Sequence, residues 1–485
     1  MSAKATCAAL VVVILTVGLP VAAQEVKPEA PEGAAVTRGA GALAVWLIDE
    51  SPSMKDDRKT VRQRFDQLYE DLGIKAKAAP PQRRVLSVVC SFGADLHVLH
   101  GKPTNDLAAL RKALDRIPRA RTEQVRTLAA IDAVLKQYEP YAKKYGRGIV
   151  LILVTDEVSD DLKPVAGNPD PIEATIVRLK AAKASLLVFG PEAGAFGDAS
   201  ERTYDPTVPK SMTPWGRARR GLDTAFPEMF QYDDLFRPTP RVPSGFGPYP
   251  LARLCRETGG VCYLLHQRDP PTYDYKKMFP AYAPELASRE EIAARNRANP
   301  VRGRLMEIVA AWNVIDARGR VEHTFKNDET LRERVTASIA AVDARLALVN
   351  NSIKRLWDLG EVPAKHSPKR WQANRDLMWA QLNKLRFQLT QYRRTLVMLL
   401  DGNAISPPGE LGWRISRQHR PRLRGDVKTV LAEKKRIEAL FRKVIKTHAK
   451  TPWAAFAASE VKHIGGYAVL PWSRKALPGI PDGGR

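Results

Sequence analysis

Residues 43–53, with the sequence LAVWLIDESPS, join an apolar run directly to a cluster of oxygen-bearing side chains. The apolar residues 43–48 predict a strand buried on both faces, as strands of a parallel sheet are. Asp49, Ser51 and Ser53 follow at once, so we expect them at the carboxyl end of that strand. Open α/β sheets bind ligands at this end of their strands. The stretch therefore predicts a fold and, with it, the position of a site.

Two further residues with side-chain oxygens are expected at the same edge. Asp156 follows the apolar run 149–155, and Thr122 lies at a third place where a predicted strand has ended. Hard divalent cations such as Mg²⁺ take oxygen ligands and keep several waters, so a few hydroxyls and carboxylates from different loops suffice to hold one. Together with the first three residues, these two are candidate ligands of a single cation.

The order of predicted elements indicates an α/β fold, a doubly wound and mostly parallel sheet with helices on both faces. Strands are predicted at 43–48, 85–92, 96–99, 148–155, 185–189 and 261–266, and helices at 59–72, 106–116, 125–138, 171–182 and 251–257. Segment 96–99 follows its neighbour too closely for a crossover helix. We therefore expect it to form an antiparallel edge hairpin.

Segment 190–250 interrupts this pattern with a long insertion that is dense in Gly and Pro. Loops of this length are usually functional or disordered. The insertion leaves the sheet at the carboxyl end of a strand, the edge that also carries Asp49 and Asp156. Two interpretations stay open: it walls or selects the ligand site, or it is a decoration with no contact role.

The chain beyond residue 267 is predicted to be helical. Apolar residues step by three and four along two segments, at Leu346, Val349, Ile353 and Leu356 and then at Met378, Leu382, Leu385, Leu389, Tyr392, Leu396 and Leu399. This spacing predicts an antiparallel helical hairpin with a coiled-coil seam, which a third helix at 427–446 could complete as an all-α bundle able to self-associate. The expected domains are an α/β domain at 41–267, a linker or helical segment at 268–323, the bundle at 324–465 and a C-terminal tail at 466–485.

The first 23 residues resemble a secretory signal peptide, with a basic start, an apolar stretch at 8–19 and a small-residue cleavage site after Ala23. An uncleaved anchor is the alternative. Residues 24–40 are rich in Pro, Gly and Ala and predict a flexible linker. We expect an exported protein, located in the periplasm, outside the cell or at its surface. Such a protein can keep disulfides, so Cys255 and Cys262 are either a bridge or two buried thiols.

The net charge of +24 is unevenly distributed. From Arg268 onward there are 41 Lys and Arg against 22 Asp and Glu, a net charge of +19. A field of this sign favours acidic partners such as an anionic polymer or an envelope component, whereas an exported protein seldom meets nucleic acid. Solvated helix faces of an Arg-rich chain are the other explanation.

The spacing Asp49-x-Ser51-x-Ser53, with Thr122 and Asp156, resembles the metal-ion-dependent adhesion site (MIDAS) of the von Willebrand factor type A (VWA) domain. The resemblance covers roughly residues 41–266 and points to a secreted VWA protein of bacterial type. It implies that the two serines and Thr122 bind Mg²⁺ or Mn²⁺ directly and that the two aspartates act through water. One coordination position is then open for a carboxylate on a protein partner, which makes the implied function cell adhesion or protein binding.

The run 53–57, SMKDD, is similar to integrin beta-subunit I-like domains. By that likeness Asp56 and Asp57 are candidates for an adjacent Ca²⁺ site; two solvated acids at a helix start are the alternative. The sequence departs from the family pattern at Pro52, Arg121 and Glu157. Thr127 lies one helical turn beyond Thr122 and could replace it as the ligand.

Enzymatic signatures are missing from the sequence. The eight histidines are scattered, and there is no HExxH motif, no zinc-type Cys/His cluster, no G-x-S-x-G elbow and no P-loop. We therefore expect a binding protein and not an enzyme. The alternatives are an electrostatic module, in which basic C-terminal helices bind an anionic polymer or envelope surface, and a metal-dependent hydrolase.

Overall fold

The computed structural model describes most of the chain, in two compact units. It describes residues 41–54, 58, 85–118, 120, 124–162, 170–195, 200–204, 215–219, 221–230, 242–265, 273–315, 321–360, 367–402, 408–409, 411–417 and 426–473. The first unit takes in the chain up to Phe226 with Pro243–Phe279 and Ala283–Ile292, and the second takes in Pro227–Val242, Pro280–Tyr282 and the chain from Ala293. The predicted signal peptide, the linker 24–40 and the helix 59–72 lie outside the described residues.

The first unit is built on a six-stranded sheet. Its strands are β1 (Ala42–Asp49), β2 (Leu86–Phe92), β3 (Leu96–Thr104), β4 (Gly148–Val154), β5 (Ala184–Gly190) and β8 (Cys262–Leu264), and their order is β3-β2-β1-β4-β5-β8. All neighbours pair in parallel except β2 and β3, which are antiparallel. The α/β fold class and the antiparallel edge hairpin are therefore confirmed.

Helices cover both faces of this sheet. They are α1 (Leu107–Leu114), α2 (Thr127–Lys144), α3 (Pro171–Ala181) and α4 (Tyr249–Glu257). Alternate residues of β1 enter two different apolar clusters: Leu43, Val45 and Leu47 pack with α2, α3 and α4, whereas Ala44, Trp46 and Ile48 pack with α1. Burial on both faces is why β1 is continuously apolar, and each such Leu or Ile side chain stabilises the fold by roughly 1.5–3 kcal/mol.

The strand order places a crevice at the carboxyl ends of β1 and β4. β1 pairs with β2 on one side and with β4 on the other, so the winding of the sheet reverses between β1 and β4. Ligands of open α/β sheets bind at such a reversal. The register sets Ile48 opposite Val154. Asp49 and the residues after β4 therefore leave the sheet side by side.

The insertion between β5 and α4 contains an antiparallel hairpin, β6 (Ser200–Tyr204) with β7 (Trp215–Arg219). The base of the insertion is held to itself at Gly194, whose N–H donates to the carbonyl of Gly221 and which also bridges to Pro243. The insertion is therefore ordered backbone at its base, and its hairpin has a fixed register.

The connection from α4 to β8 passes very close to β5. A Cβ on Gly260 would lie 1.8 Å from the carbonyl oxygen of Leu186, so only glycine allows this approach of the chain to β5.

The same connection brings two cysteines together. Cys255 and Cys262 are free thiols here. They hydrogen-bond to each other, and burial followed by this contact raises the pKa of Cys255 well above its usual value. The disulfide between them stays a prediction for the oxidised protein.

The second unit is mainly helical. In chain order the remaining helices are α5 (Tyr275–Met278), α6 (Arg289–Ala298), α7 (Pro300–Ile315), α8 (Leu331–Trp357), α9 (Lys369–Leu400), α10 (Val427–Thr447) and α11 (Pro452–Val461). Of these, α5 lies in the first unit, and the boundary between the units falls within α6, after Ile292. Asp343 on α8 binds Arg393 on α9, and Trp357 lies 6.1 Å from Trp379 between ring centroids. These contacts confirm the antiparallel hairpin of α8 and α9.

A small antiparallel sheet accompanies these helices and was not predicted. It consists of β9 (Thr324–Phe325), β10 (Gly412–Arg417) and β11 (Tyr467–Trp472), in the order β11-β10-β9. The third strand lies where we expected a C-terminal tail. Each strand is short and far in sequence from its partners, so none carries the turn signal of a hairpin.

In the ranges given above, no helix has both the length and the apolar character needed to cross a membrane.

Candidate metal site

The candidate site lies on two loops at the crevice between β1 and β4. On the first loop a single 3-10 turn, Pro52–Met54, follows β1, and the N–H of Met54 donates to the carbonyl of Ser51. The Met54 side chain is fully buried beneath this turn. On the second loop Asp156 follows β4 and is also buried. The turn is therefore anchored from below, and it presents its serine hydroxyls towards Asp156.

Three oxygens converge between the two loops. The Ser53 hydroxyl donates to Oδ1 of Asp156 at 3.0 Å, and the Ser51 hydroxyl lies 3.3 Å from the same oxygen. The two hydroxyl oxygens are 3.1 Å apart. The structure thus brings Asp156 together with Ser51 and Ser53, which precede it in the chain by 105 and 103 residues.

Asp49 lies behind these oxygens with both of its carboxylate oxygens bound. Its Oδ1 accepts from the N–H of Ser51 at 2.7 Å, and its Oδ2 accepts from the hydroxyl of Thr155 at 2.5 Å. The side chain is fully buried. Thr155 therefore fixes the orientation of Asp49 across the two strands. Sequence reasoning placed Thr155 at the end of a strand without giving it this role; its position beside Asp156 was the only signal.

The pKa of Asp49 is raised from 3.8 to about 7. Burial is the largest cause and the neighbouring charge of Asp156 is the second, while the hydrogen bonds from Thr155 and Ser51 act in the opposite direction. Two carboxylates in one buried crevice disfavour each other's ionised form. A positive charge placed between the loops would stabilise both ionised carboxylates and so lower the pKa of Asp49.

The donor set fits a hard cation. Ligands on adjacent corners of an octahedron around Mg²⁺, with bonds of about 2.1 Å, are separated by about 3.0 Å. The three loop oxygens are separated by 3.0, 3.1 and 3.3 Å. All are hydroxyl or carboxylate oxygens, the ligands that Mg²⁺ and Mn²⁺ prefer. Among the described residues there is no cluster of three or more His, Cys, Asp or Glu that could hold a metal, so serines are essential to this donor set.

Three of the predicted site residues lie outside the described part of the chain: Thr122, Asp56 and Asp57. The alternative ligand Thr127 is described and is the first residue of α2. Its hydroxyl is buried without a hydrogen-bond partner among the described atoms, while its N–H donates to the hydroxyl of Ser159. The choice between Thr122 and Thr127 stays open.

Glu50 is turned into the sheet edge and away from solvent. Its side chain is buried, and Oε1 accepts from the hydroxyl of Ser91 at 2.6 Å and lies 2.8 Å from Nδ1 of His97. The carbonyl of Glu50 accepts from the N–H of Ala120. Glu50 therefore ties the first site loop to β2, β3 and the segment before α2, which stabilises the loop that carries the serines.

The insertion lies against both site loops. The backbone of β7 packs against the turn Pro52–Met54. Gly221, just beyond β7, has a positive φ of 67°, and a Cβ there would lie 2.7 Å from the Val158 side chain. Val158 is two residues past Asp156. This placement favours the interpretation that the insertion walls the site.

We expect the metal-free sheet to lose stability as pH rises from about 4 to about 7. Over that range the folded Asp49 keeps its proton while the unfolded chain, with a pKa of 3.8, releases it. The folded state then binds more protons, so raising the pH favours unfolding. Asp49→Asn should remove this dependence and stabilise the sheet above pH 7 by on the order of 4 kcal/mol.

Hydrogen exchange of the β1 amides in chelator, at pH 4.5, 6 and 8, measures this free energy of unfolding. Asp106→Asn is the matched control, because Asp106 caps α1 in an exposed position and Asn caps equally well. An unchanged pH dependence in Asp49→Asn would show that Asp49 ionises normally in the folded protein.

No family model matches the chain, and no curated protein does. Solved structures show slight likenesses. Proximal thread matrix protein 1 from the mussel byssus, in a form with a zinc-occupied MIDAS motif, is 18% identical over 31% of this chain, with a TM-score of 0.24. The matched part is 38% of that protein, so this chain spans well under half of its length.

Two bacterial structures are similar to the same degree. The conserved hypothetical protein BatB from Bacteroides thetaiotaomicron is 13% identical, over 47% of this chain and 91% of that one, with a TM-score of 0.29. The vWF domain of the type V pili tip protein Mfa5 from Porphyromonas gingivalis is 17% identical, over 25% of this chain and 39% of that one, with a TM-score of 0.21. At such scores no argument about function passes from these proteins to this chain.

Proposed function

We propose that the first unit binds one divalent cation, Mg²⁺ or Mn²⁺, between the loops after β1 and β4 and, through it, a carboxylate on a protein partner. The observation that carries this proposal is the convergence of the Ser51 and Ser53 hydroxyls on one oxygen of Asp156. This convergence at the open edge of the sheet is what a divalent cation needs, because such an ion takes several oxygens from separate loops.

Each residue has a distinct part in holding the ion. The hydroxyls of Ser51 and Ser53 and the carboxylate of Asp156 are the groups placed to bind it. Asp49 supplies a second negative charge from a buried position, and Thr155 holds that carboxylate in one orientation. The bound cation supplies an exposed positive charge to which an acidic group of a partner can bind.

The resemblance of the Asp-x-Ser-x-Ser motif to VWA adhesion sites supports this proposal. We infer an exported VWA-type protein that acts in adhesion or protein binding in the periplasm, outside the cell or at its surface, and that breaks no bond. An adjacent Ca²⁺ at Asp56 and Asp57 belongs to the same inference. The insertion, whose strand β7 lies against the turn Pro52–Met54, would select among acidic partners by walling the site.

Water relaxation of bound Mn²⁺ tests the proposal on the chain from Gln24 onward. We expect one Mn²⁺ per chain, with exchangeable water in its coordination sphere that raises proton relaxation. Acetate, and more strongly a short Glu-containing peptide, should lower this relaxation by displacing water. Mg²⁺ should compete with Mn²⁺ for the site. Absence of Mn²⁺ binding, or relaxation that carboxylates leave unchanged, would contradict the proposal.

The hydrolase alternative is tested in the same samples. If the parent chain hydrolyses p-nitrophenyl phosphate with Mg²⁺ and Ser51→Ala does not, the site is catalytic and the adhesion proposal is wrong. We expect no turnover, because the one histidine described in contact with this edge, His97, is bound to Glu50.

A further inference from the structure

The outer face of α10 carries a row of cations that the proposed cation site does not use. Lys428, Lys435, Arg442, Lys443 and Lys446, here called the basic stripe, are all exposed. At 100° per residue they fall within about 100° of the helix circumference, and at 1.5 Å per residue they extend over about 27 Å. The opposite face of the helix is buried through Val430, Ile437, Phe441 and Val444. The stripe is therefore held on a packed helix and faces outward.

The acids of α10 leave most of this charge uncompensated. The helix has two acids, and both are in ion pairs: Glu438 with Lys434 and Arg442, and Glu433 with Arg386 on α9. None of the four lysines of the stripe has an ion pair within the described ranges. Four like charges held in one row on a rigid helix repel one another, and an anionic surface laid along the row would remove that repulsion.

Exposed apolar side chains border the stripe. Val427 is 57% exposed and Leu431 is 43% exposed, whereas the other large apolar residues of α10 are buried or half-buried. They are one helical turn apart, and Leu431 lies only about 20° around the helix from Arg442. A basic row with an adjoining apolar edge matches an anionic lipid surface, which offers charge and an apolar layer beneath it. A polysaccharide offers only the charge.

We propose that the outer face of α10 binds an anionic phospholipid bilayer, with the basic stripe on the headgroups and Val427 and Leu431 entering the interface. Single-stranded nucleic acid is a poorer fit, because the base stacking that holds it needs exposed aromatic rings and Phe441, the one aromatic residue of α10, is fully buried. This binding is separate from the cation site, and it needs no divalent ion.

Vesicle sedimentation in chelator tests the proposal. The chain from Gln24 onward is used, so that the apolar stretch 8–19 cannot contribute. We expect binding to phosphatidylcholine vesicles that contain phosphatidylglycerol, none to phosphatidylcholine alone, and release by 0.5 M salt. Exchanging Lys428, Lys435, Lys443 and Lys446 together for Gln should lower the partition coefficient at least about 30-fold, since each lysine near an anionic surface contributes strongly. Val427→Ser with Leu431→Ser should lower it about 5-fold.

The matched control exchanges four exposed lysines of the first unit for Gln, at Lys102, Lys112, Lys276 and Lys277. It makes the same change in net charge and should bind nearly as well as the parent. Equal loss in control and stripe variants would overturn the proposal in favour of net charge alone. Retention on heparin without binding to vesicles would overturn the proposal in favour of an anionic polysaccharide. Binding to vesicles that is lost only when nuclease is added would overturn it in favour of nucleic acid.

Discussion

Asp156→Asn is expected to weaken Mn²⁺ binding by at least about 100-fold while the chain stays folded. The substitution keeps the shape of the side chain and an oxygen for the two serine hydroxyls to bind, but it removes one of the two negative charges in the crevice. A hard divalent ion held by few protein oxygens depends strongly on that charge. Calorimetric titration with Mn²⁺, repeated with Mg²⁺, measures the loss.

The metal-free stability of the same variant separates lost binding from lost folding. The charge of Asp156 is one of the causes that raise the pKa of Asp49, so removing it relieves a repulsion inside the crevice. Asp156→Asn should therefore be at least as stable as the parent in chelator at pH 8. Asp106→Asn makes the same change of charge at a helix cap and should bind Mn²⁺ normally.

Smaller changes at the site should follow the contacts. Ser53→Ala removes a hydroxyl that lies 3.0 Å from Asp156 and should cost about 10-fold in Mn²⁺ affinity. Thr155→Ser keeps the hydroxyl that binds Asp49 and should cost little. If Asp156→Asn binds Mn²⁺ as tightly as the parent, the cation site lies elsewhere in the chain.

The central sheet was predictable because its strands are covered on both sides. Continuous apolar runs such as 43–48 and 149–154 have no polar face, as is typical of strands in a parallel sheet between helix layers. The same argument brought Asp49 and Asp156 to one edge, since parallel strands that are neighbours share their carboxyl ends. The prediction succeeded where one physical cause, burial, fixed both the element and its direction.

The contacts within the site were less predictable, because they depend on register. Thr155 reaches Asp49 since Ile48 pairs with Val154, and no sequence pattern sets that pairing to the residue. Glu50 stands between Asp49 and Ser51 in the sequence, yet its side chain is buried against Ser91 and His97. Alternation along the strand end turns Glu50 to the side opposite its neighbours.

Helix α9 shows where periodicity misleads. The apolar spacing predicted one buried stripe, and those residues are indeed buried. Yet polar side chains around the whole helix are buried too, because α8, α10, α11 and β11 all pack against it. The buried polar residues are Arg370, Asn374, Gln381, Asn383, Lys384, Gln388, Gln391 and Thr395. A central helix keeps polar residues when they find hydrogen-bond partners, several of them on neighbouring elements, and sequence spacing does not reveal those partners.

Lys384→Met is expected to destabilise the second unit by about 3–5 kcal/mol. The Lys384 ammonium lies 2.5 Å from a carboxylate oxygen of Glu460 on α11, and the two side chains are only 1% and 9% exposed. Removing the lysine leaves the carboxylate of Glu460 buried without this charge partner, and that desolvation is the main cost. Urea denaturation of the chain from Gln24 onward measures it.

The double variant Lys384→Met with Glu460→Leu should recover most of the lost stability, because it removes both buried charges and leaves apolar groups of similar size. Lys354→Met is the matched control. Lys354 pairs with Asp358 at 2.7 Å, but these side chains are 74% and 51% exposed, so water screens the pair and its loss should cost under about 1 kcal/mol. If Lys384→Met costs no more than Lys354→Met, the buried pair does not hold α11 against α9, and the packing of Trp453 and Phe456 must hold it instead.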